Sequence, residues 1–168
     1  MTTHPSAVAV PDYKAAMGRF ATGVAIVTTC APDGSPVGLT INSLNSVSLT
    51  PPVLLWSLAQ HASTMPAFEA ASHFAVHVLA SEQLDLAQRF AQRAAHRFEG
   101  VAHTLNAWGV PELPGTAATL VCAKVGQHVV GDHTVWFGQV VHCQHDAGLV
   151  PLLYLAGRFT HPQGPSLT

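Results

Sequence analysis

The chain reads as a succession of short apolar, β-branched runs separated by turn residues, with a single segment of strong helical period. Residues 24–29 form such a run, Pro32-Asp33-Gly34 is a turn in which proline presets φ and glycine accepts a positive one, and residues 37–41 return. Residues 24–41 therefore predict a hairpin. Residues 44–49 alternate small polar and apolar side chains until Pro51-Pro52 stops them, and 53–58 and 73–79 read as buried strands. Three β-like runs, 117–130, 133–145 and 152–159, close the chain.

Helices enter singly. Asp12 is a candidate N-cap for a short helix reaching about Phe20, weakened and then ended by Gly18 and Gly23. Ser63 or Thr64 caps a second through Ala70, and Ser81 with Glu82 opens a third, 83–93, whose Leu84, Leu86, Ala87, Phe90 and Ala91 share a face. Residues 94–116 hold Gly and Pro with little periodicity, a loop long enough to suspect of function. Strand following strand excludes the alternation of a doubly wound sheet. The expected fold is mainly β, a closed or partly open antiparallel barrel with peripheral helices.

Composition narrows the partners. At 168 residues the chain supports one domain, with a core of about 12–160 and loose tails at 1–11 and 162–168. It is 48% apolar and only 10% charged, so part of its surface is expected to be covered by a partner copy or a cofactor. Seven basic against nine acidic residues leave a net charge of −2, which argues against nucleic acid. No run approaches 18 apolar residues and the first residues lack a basic, then apolar, leader pattern, so neither membrane nor export is expected. Cys30, Cys122 and Cys143 are odd in number and irregular in spacing, which fits a reducing cytoplasm and neither a disulfide framework nor a zinc ribbon.

Familiar fingerprints are missing. There is no G-x-G-x-x-G between strand and helix, no P-loop and no nucleophile elbow. His142-Cys143-Gln144-His145 places two metal-capable side chains on one strand face, but two ligands make no site and no metal is expected. The residues that stand out are Thr40, Asn42, Ser43, Asn45, Ser46 and Ser48, packed between two apolar strands, where a polar heteroaromatic ring would satisfy them as well as water in an exposed turn. Ser63 and Thr64 offer hydroxyls to an anion, or merely cap their helix. Arg89, Arg93 and Arg97 recur every fourth residue, a solvated stripe or a source of one phosphate-binding cation. Gly131-Asp132-His133 is a tight turn presenting an imidazole.

Taken together, Thr22-Gly23-Val24, Gly38-Leu39-Thr40, the run Asn42-Ser43-Leu44-x-Ser46-Val47-Ser48-Leu49-x-Pro51-Pro52, Ser63-Thr64, Arg89-Phe90-Ala91, Gly131-Asp132-His133 and Pro151-Leu152-x-Tyr154-x-x-Gly157-x-Phe159 resemble the flavin reductase-like, FMN-binding split-barrel family. The likeness spans about residues 12–160, with Leu44 where many relatives carry Phe. It implies a homodimeric split barrel that passes hydride from NADH, or NADPH, to FMN, or FAD, often for a partner flavin-dependent monooxygenase. It also implies that Thr40, Asn42, Ser43, Leu44, Ser46, Val47 and Ser48 line the flavin ring and ribityl chain. Ser57, Ser63, Thr64, Arg89 and Phe90 would lie near its phosphate, and His133 would position the nicotinamide. The alternative is a flavin-binding electron carrier of the same fold that does not oxidise NAD(P)H efficiently.

Overall fold

A computed structural model describes residues 8–94 and 96–162. The predicted hairpin is strands β2 (Ala25–Cys30) and β3 (Pro36–Ile41), and its turn sets Gly34 at φ 83° while the Asp33 carboxylate accepts hydrogen bonds from the Ser35 N–H and hydroxyl. Strands β4 (Asn45–Leu49) and β5 (Pro52–Ala59), β6 (His73–Val78), β9 (Ala118–Val130) and β10 (His133–His145) join it in one antiparallel seven-stranded sheet, ordered β3-β2-β6-β9-β10-β5-β4. A short strand β1 (Thr22–Gly23) pairs with β11 (Leu153–Leu155), which turns back into β12 (Arg158–Thr160), so the single run expected at 152–159 is a small hairpin. The expected loop 94–116 also holds a two-residue hairpin, β7 (Thr104–Leu105) with β8 (Pro111–Glu112).

The sheet is packed on both faces, which is why β2 is buried without alternation from Ala25 to Thr29. Ala25 and Val27 point into the barrel with Trp56, Phe74 and Trp136, while Val24 and Ile26 face Ala87 and Phe90 on the outer helix. The Trp56 and Trp136 rings stack at 6.1 Å, and Phe68 and Phe74 meet Trp56 edge-on. Gly138 is required where β10 passes this cluster, because a Cβ there would lie 2.7 Å from the Cys122 Cβ and strike the Phe74 ring. Burial pushes the Cys122 thiol up to about 12, leaving it an apolar filler.

The helices differ from expectation mainly at their ends. Helix α1 (Val10–Met17) starts two residues before Asp12, with a proline in its first turn, and stops at Gly18. Helix α2 (Met65–Ala70) begins after Thr64, yet neither Ser63 nor Thr64 caps it through a side chain. Helix α3 (Leu84–Ala91) is preceded by a 3-10 turn, Ser81–Gln83, that Gln83 closes by accepting the Ala80 N–H at 3.0 Å, so neither Ser81 nor Glu82 is the cap. It ends at Ala91, two residues short of the expected Arg93, and Gln92 is already extended.

One buried polar cluster pins the 104–112 hairpin to the sheet. His77 is fully buried, its Nε2 lying 3.0 Å from Thr28 Oγ1 and 3.2 Å from the Pro111 carbonyl, its Nδ1 3.2 Å from Thr119 Oγ1. The Thr28 hydroxyl donates to the Pro111 carbonyl, so the ring donates from Nε2 and accepts at Nδ1 as a neutral imidazole. Burial holds its pKa near 4, down from 6.5. Its contribution to stability is therefore complete above about pH 6.5 and declines as pH falls towards 4, by up to roughly 3 kcal/mol. Thermal melts of the native chain should lose stability between pH 6.5 and 5, and His77→Gln should flatten that slope; an unchanged slope would contradict this role.

Candidate functional site

The sheet's two edge strands, β3 and β4, are consecutive in the chain and joined only by Asn42, Ser43 and Leu44. They curl toward one another without pairing, so among the described residues the outer row of β4 backbone N–H and C=O groups has no strand partner. Asn42, Ser46 and Val47 are exposed there, Val47 at 50%, and among the described residues the Asn42 and Ser46 side chains have no hydrogen-bond partner. The alternation read from sequence is broken at Val47: Ser46 pairs with Leu54 and Ser48 with Val53, leaving Val47 as the extra residue of a bulge. Such a bulge re-aims the side chains on either side of it.

Other predicted residues are drawn into the scaffold. Thr40 donates to the Ala87 carbonyl at 2.7 Å and so fastens β3 to α3. Ser43 bridges to β5, accepting the Ser57 N–H at 3.0 Å, and Leu44 packs against the barrel core. Ser48 accepts the Thr50 N–H at 3.3 Å. Phe90, expected beside a ligand, is instead fully buried under Gly38 and meets Phe98 edge-on at 4.9 Å.

At the far end of β3 lies a hollow of about 270 Å³ lined by Val37, Gly38, Ser63, Thr64, Arg97 and Phe98 among others. Thr64 is 7% exposed and its hydroxyl has no hydrogen-bond partner, an arrangement that costs free energy unless a ligand supplies one. Ser63 is exposed beside it. The cation of this hollow is Arg97, whose Nη1 donates to the Gly38 carbonyl at 2.9 Å and whose Nε donates to the Gln92 carbonyl at 2.8 Å. Burial lowers its pKa without discharging it.

Arg89, the predicted phosphate cation, is turned elsewhere: it donates to the Arg97 carbonyl at 2.8 Å and to the Glu99 carbonyl, and lines a separate hollow with Glu82 and Asp85. The fourfold spacing flagged all three arginines, but only the break at Gln92 decides which one folds back over β3. That break depends on contacts distant in sequence.

The Gly131-Asp132-His133 turn connects β9 to β10 with Gly131 at φ 60°. His133 Nδ1 lies 2.7 Å from the Asp132 carboxylate, and this hydrogen bond, with the imidazole's charge, holds the carboxyl below its usual value. The Gln60 N–H donates to the Asp132 carbonyl at 3.0 Å, bringing the 60–64 corner against the turn. His61, which sequence reasoning passed over, thereby stands near Asp132, and Arg93 Nη2 donates to its Nε2 at 3.3 Å. Lys124 is remote: its ammonium donates to the Phe68 and Glu69 carbonyls at 3.0 and 2.7 Å, at the end of α2. Cys143 and His145 sit on exposed β10, and among the described residues no third metal-capable side chain joins them.

An antiparallel barrel left open along one polar seam is a split barrel, and the 60–64 corner brings the hollow lined by Ser63 and Thr64 and the histidine turn to the same region of it. Residues 17–163 match the flavin reductase like domain, and the chain belongs to that family. It is 44% identical over 148 residues to the FMN reductase (NADH) SmoA of Agrobacterium fabrum, covering 88% of this chain and 83% of that protein. It is 38% identical to the reductase component of a 4-nitrophenol 4-monooxygenase/4-nitrocatechol 2-monooxygenase from Rhodococcus opacus, over 89% of this chain and 80% of the other. Among solved structures, the Streptomyces globisporus NADH:FAD oxidoreductase SgcE6, in complex with NAD and FAD fragments, superposes with a TM-score of 0.87 at 31% identity, covering 97% of this chain and 100% of that one.

The two arginines should separate by experiment. Arg89 ties down two carbonyls of the 92–101 segment, so Arg89→Ala should lower the Tm by several degrees, corresponding to roughly 1–3 kcal/mol. A Tm within a degree of the native chain would show that these bonds hold nothing.

Proposed function

We propose that this chain is an NADH-dependent flavin reductase that passes hydride to FMN, with FAD as a second acceptor, and supplies the reduced flavin to a partner monooxygenase. The observation that carries this reading is the Thr64 hydroxyl, buried and unpartnered beside Ser63 and Arg97 at one end of an unpaired strand edge. A phosphate would satisfy that hydroxyl and meet the guanidinium, and the polar seam beyond it offers Asn42 and Ser46 to ring carbonyls and nitrogens. Bound flavin supplies the hydride-accepting ring.

The chain's own part is to orient and to balance charge. The free N–H row of β4 stabilises negative charge that develops at the ring's pyrimidine edge. Ser43 and Ser57 hold the seam's strands in register, and Ser48 braces the turn beyond it. His133, fixed by Asp132, aligns the nicotinamide beside the 60–64 corner. Leu44 and the bulged Val47 give the ring an apolar wall.

A homodimer fits the same surface. Helix α1 buries none of its side chains, and Tyr13, Phe20, Val129 and Val130 are each more than half exposed in a chain with 10% charged residues. A second copy covers this surface. The three cysteines are unpaired, and no described helix is long and apolar enough to cross a membrane, which fits work in the cytoplasm.

Two measurements test the reading. Titration of flavin fluorescence should show FMN binding more tightly than riboflavin, which lacks the phosphate. Thr64→Val and Arg97→Gln should each weaken FMN roughly tenfold while leaving riboflavin unchanged. Equal affinity for the two flavins in the native chain would remove the phosphate seat.

The second concerns the electron donor. The nicotinamide turn carries the anionic Asp132, and Lys124 is committed to the end of α2. The kcat/KM for NADH should therefore exceed that for NADPH, whose 2′-phosphate needs a free cation. A preference for NADPH that Arg93→Ala abolishes would contradict this.

A further inference from the structure

The histidine turn and the phosphate seat are tied to the two ends of one short stretch of chain. Ala59, the last residue of β5, pairs with His133 on β10, and the next N–H, that of Gln60, donates to the Asp132 carbonyl at 3.0 Å. Ser63 and Thr64 follow almost at once and line the hollow. We infer that this corner makes the flavin's phosphate a positioning group for the nicotinamide, so that NADH reduces a phosphorylated flavin faster than bare riboflavin even when both saturate the site. The inference rests on the phosphate seat and on the role of His133 proposed above.

The stretch has little freedom of its own. The Ala62 N–H donates to the Ala59 carbonyl at 2.9 Å and the Met65 N–H to the Ala62 carbonyl at 3.0 Å, successive turns that run directly into α2. Ala62 packs against the barrel core and Met65 belongs to it. A displacement at Thr64 therefore meets no loose segment before it reaches Gln60 and the Asp132 carbonyl. The Gln60 N–H is a positioning group that acts through Asp132.

Thr64 supplies the reason for a displacement. Its hydroxyl is buried at 7% exposure and no protein group pairs with it. Riboflavin leaves that hydroxyl without an acceptor, and a corner that carries it gains free energy by shifting it toward water. An FMN phosphate oxygen accepts from it and holds the corner where it stands. The histidine turn is then held too, with His133 Nδ1 at 2.7 Å from the Asp132 carboxylate. FMN and riboflavin share the same reacting ring, so the phosphate acts only by spending remote binding energy on orientation.

The two flavins are compared at saturation on the native chain. The kcat/KM for NADH should be roughly tenfold higher with FMN than with riboflavin. Inorganic phosphate added to the riboflavin reaction should restore part of that difference, whereas sodium chloride at the same ionic strength should not. Coupling between two binding sites is reciprocal, which gives a readout apart from turnover. In fluorescence titrations, NAD⁺ should tighten FMN by roughly tenfold more than it tightens riboflavin. Gln60→Pro removes the N–H and should bring both ratios close to one, with FMN still binding more tightly than riboflavin. Gln60→Ala keeps the N–H and changes only an exposed side chain, so it should retain both ratios.

A ratio near one in either native-chain measurement would overturn the inference, even where FMN binds more tightly than riboflavin. So would a Gln60→Pro chain that binds FMN and keeps the native ratios, because the link would then not run through the Asp132 carbonyl. Should Gln60→Pro bind neither flavin, and so not fold, the native-chain ratios decide. FMN binding no more tightly than riboflavin in the native chain is a separate failure: it removes the phosphate seat, and the inference with it.

Discussion

A seven-stranded antiparallel sheet whose first and last strands are joined by three residues has to curl, yet β3 and β4 meet without pairing. That unclosed seam is the constraint on which the rest of the molecule depends. Closing it would satisfy the β4 edge and bury Asn42 and Ser46, leaving no place for a polar ring. Leaving it open is tolerated because Asn42, Asn45 and Ser46, exposed there, are polar, and because the barrel is held elsewhere, by the Trp56–Trp136 stack inside and by α3 outside.

The same economy of groups appears in the segment 92–101. With only seven basic residues, the chain uses two arginines to organise one stretch of backbone. Arg89 holds the Arg97 and Glu99 carbonyls, and Arg97 in turn crosses to the Gly38 carbonyl on β3. A guanidinium with five donors can fix backbone and still face a cavity, which a lysine cannot do. The loop is thereby a wall of the phosphate hollow, built from residues that no secondary structure holds in place.

Much of this was readable in the sequence where the cause is local. The β2–β3 hairpin follows from Pro32-Asp33-Gly34, and β9 and β10 follow from β-branched runs broken at Gly131. The polar run 40–48 stood out because so many donors and acceptors between apolar strands demand partners. What escaped has distant causes. The bulge at Val47 depends on how β4 meets β5, and the 104–112 hairpin is held by Thr28 and His77, far away in the chain. Thr40 and Phe90 carry the family's pattern but serve packing, since the pattern records that a residue matters and not whether it faces ligand or core.

Arg89 and Arg97 line different hollows, so a bound phosphate selects between them. A crystal structure of the chain with FMN tests it directly. The account predicts the phosphate on the Thr64 hydroxyl, Ser63 and Arg97, with the ring along residues 42–48. A phosphate bound instead in the Arg89 hollow beside Glu82 and Asp85, with Thr64 still unpartnered, would contradict it.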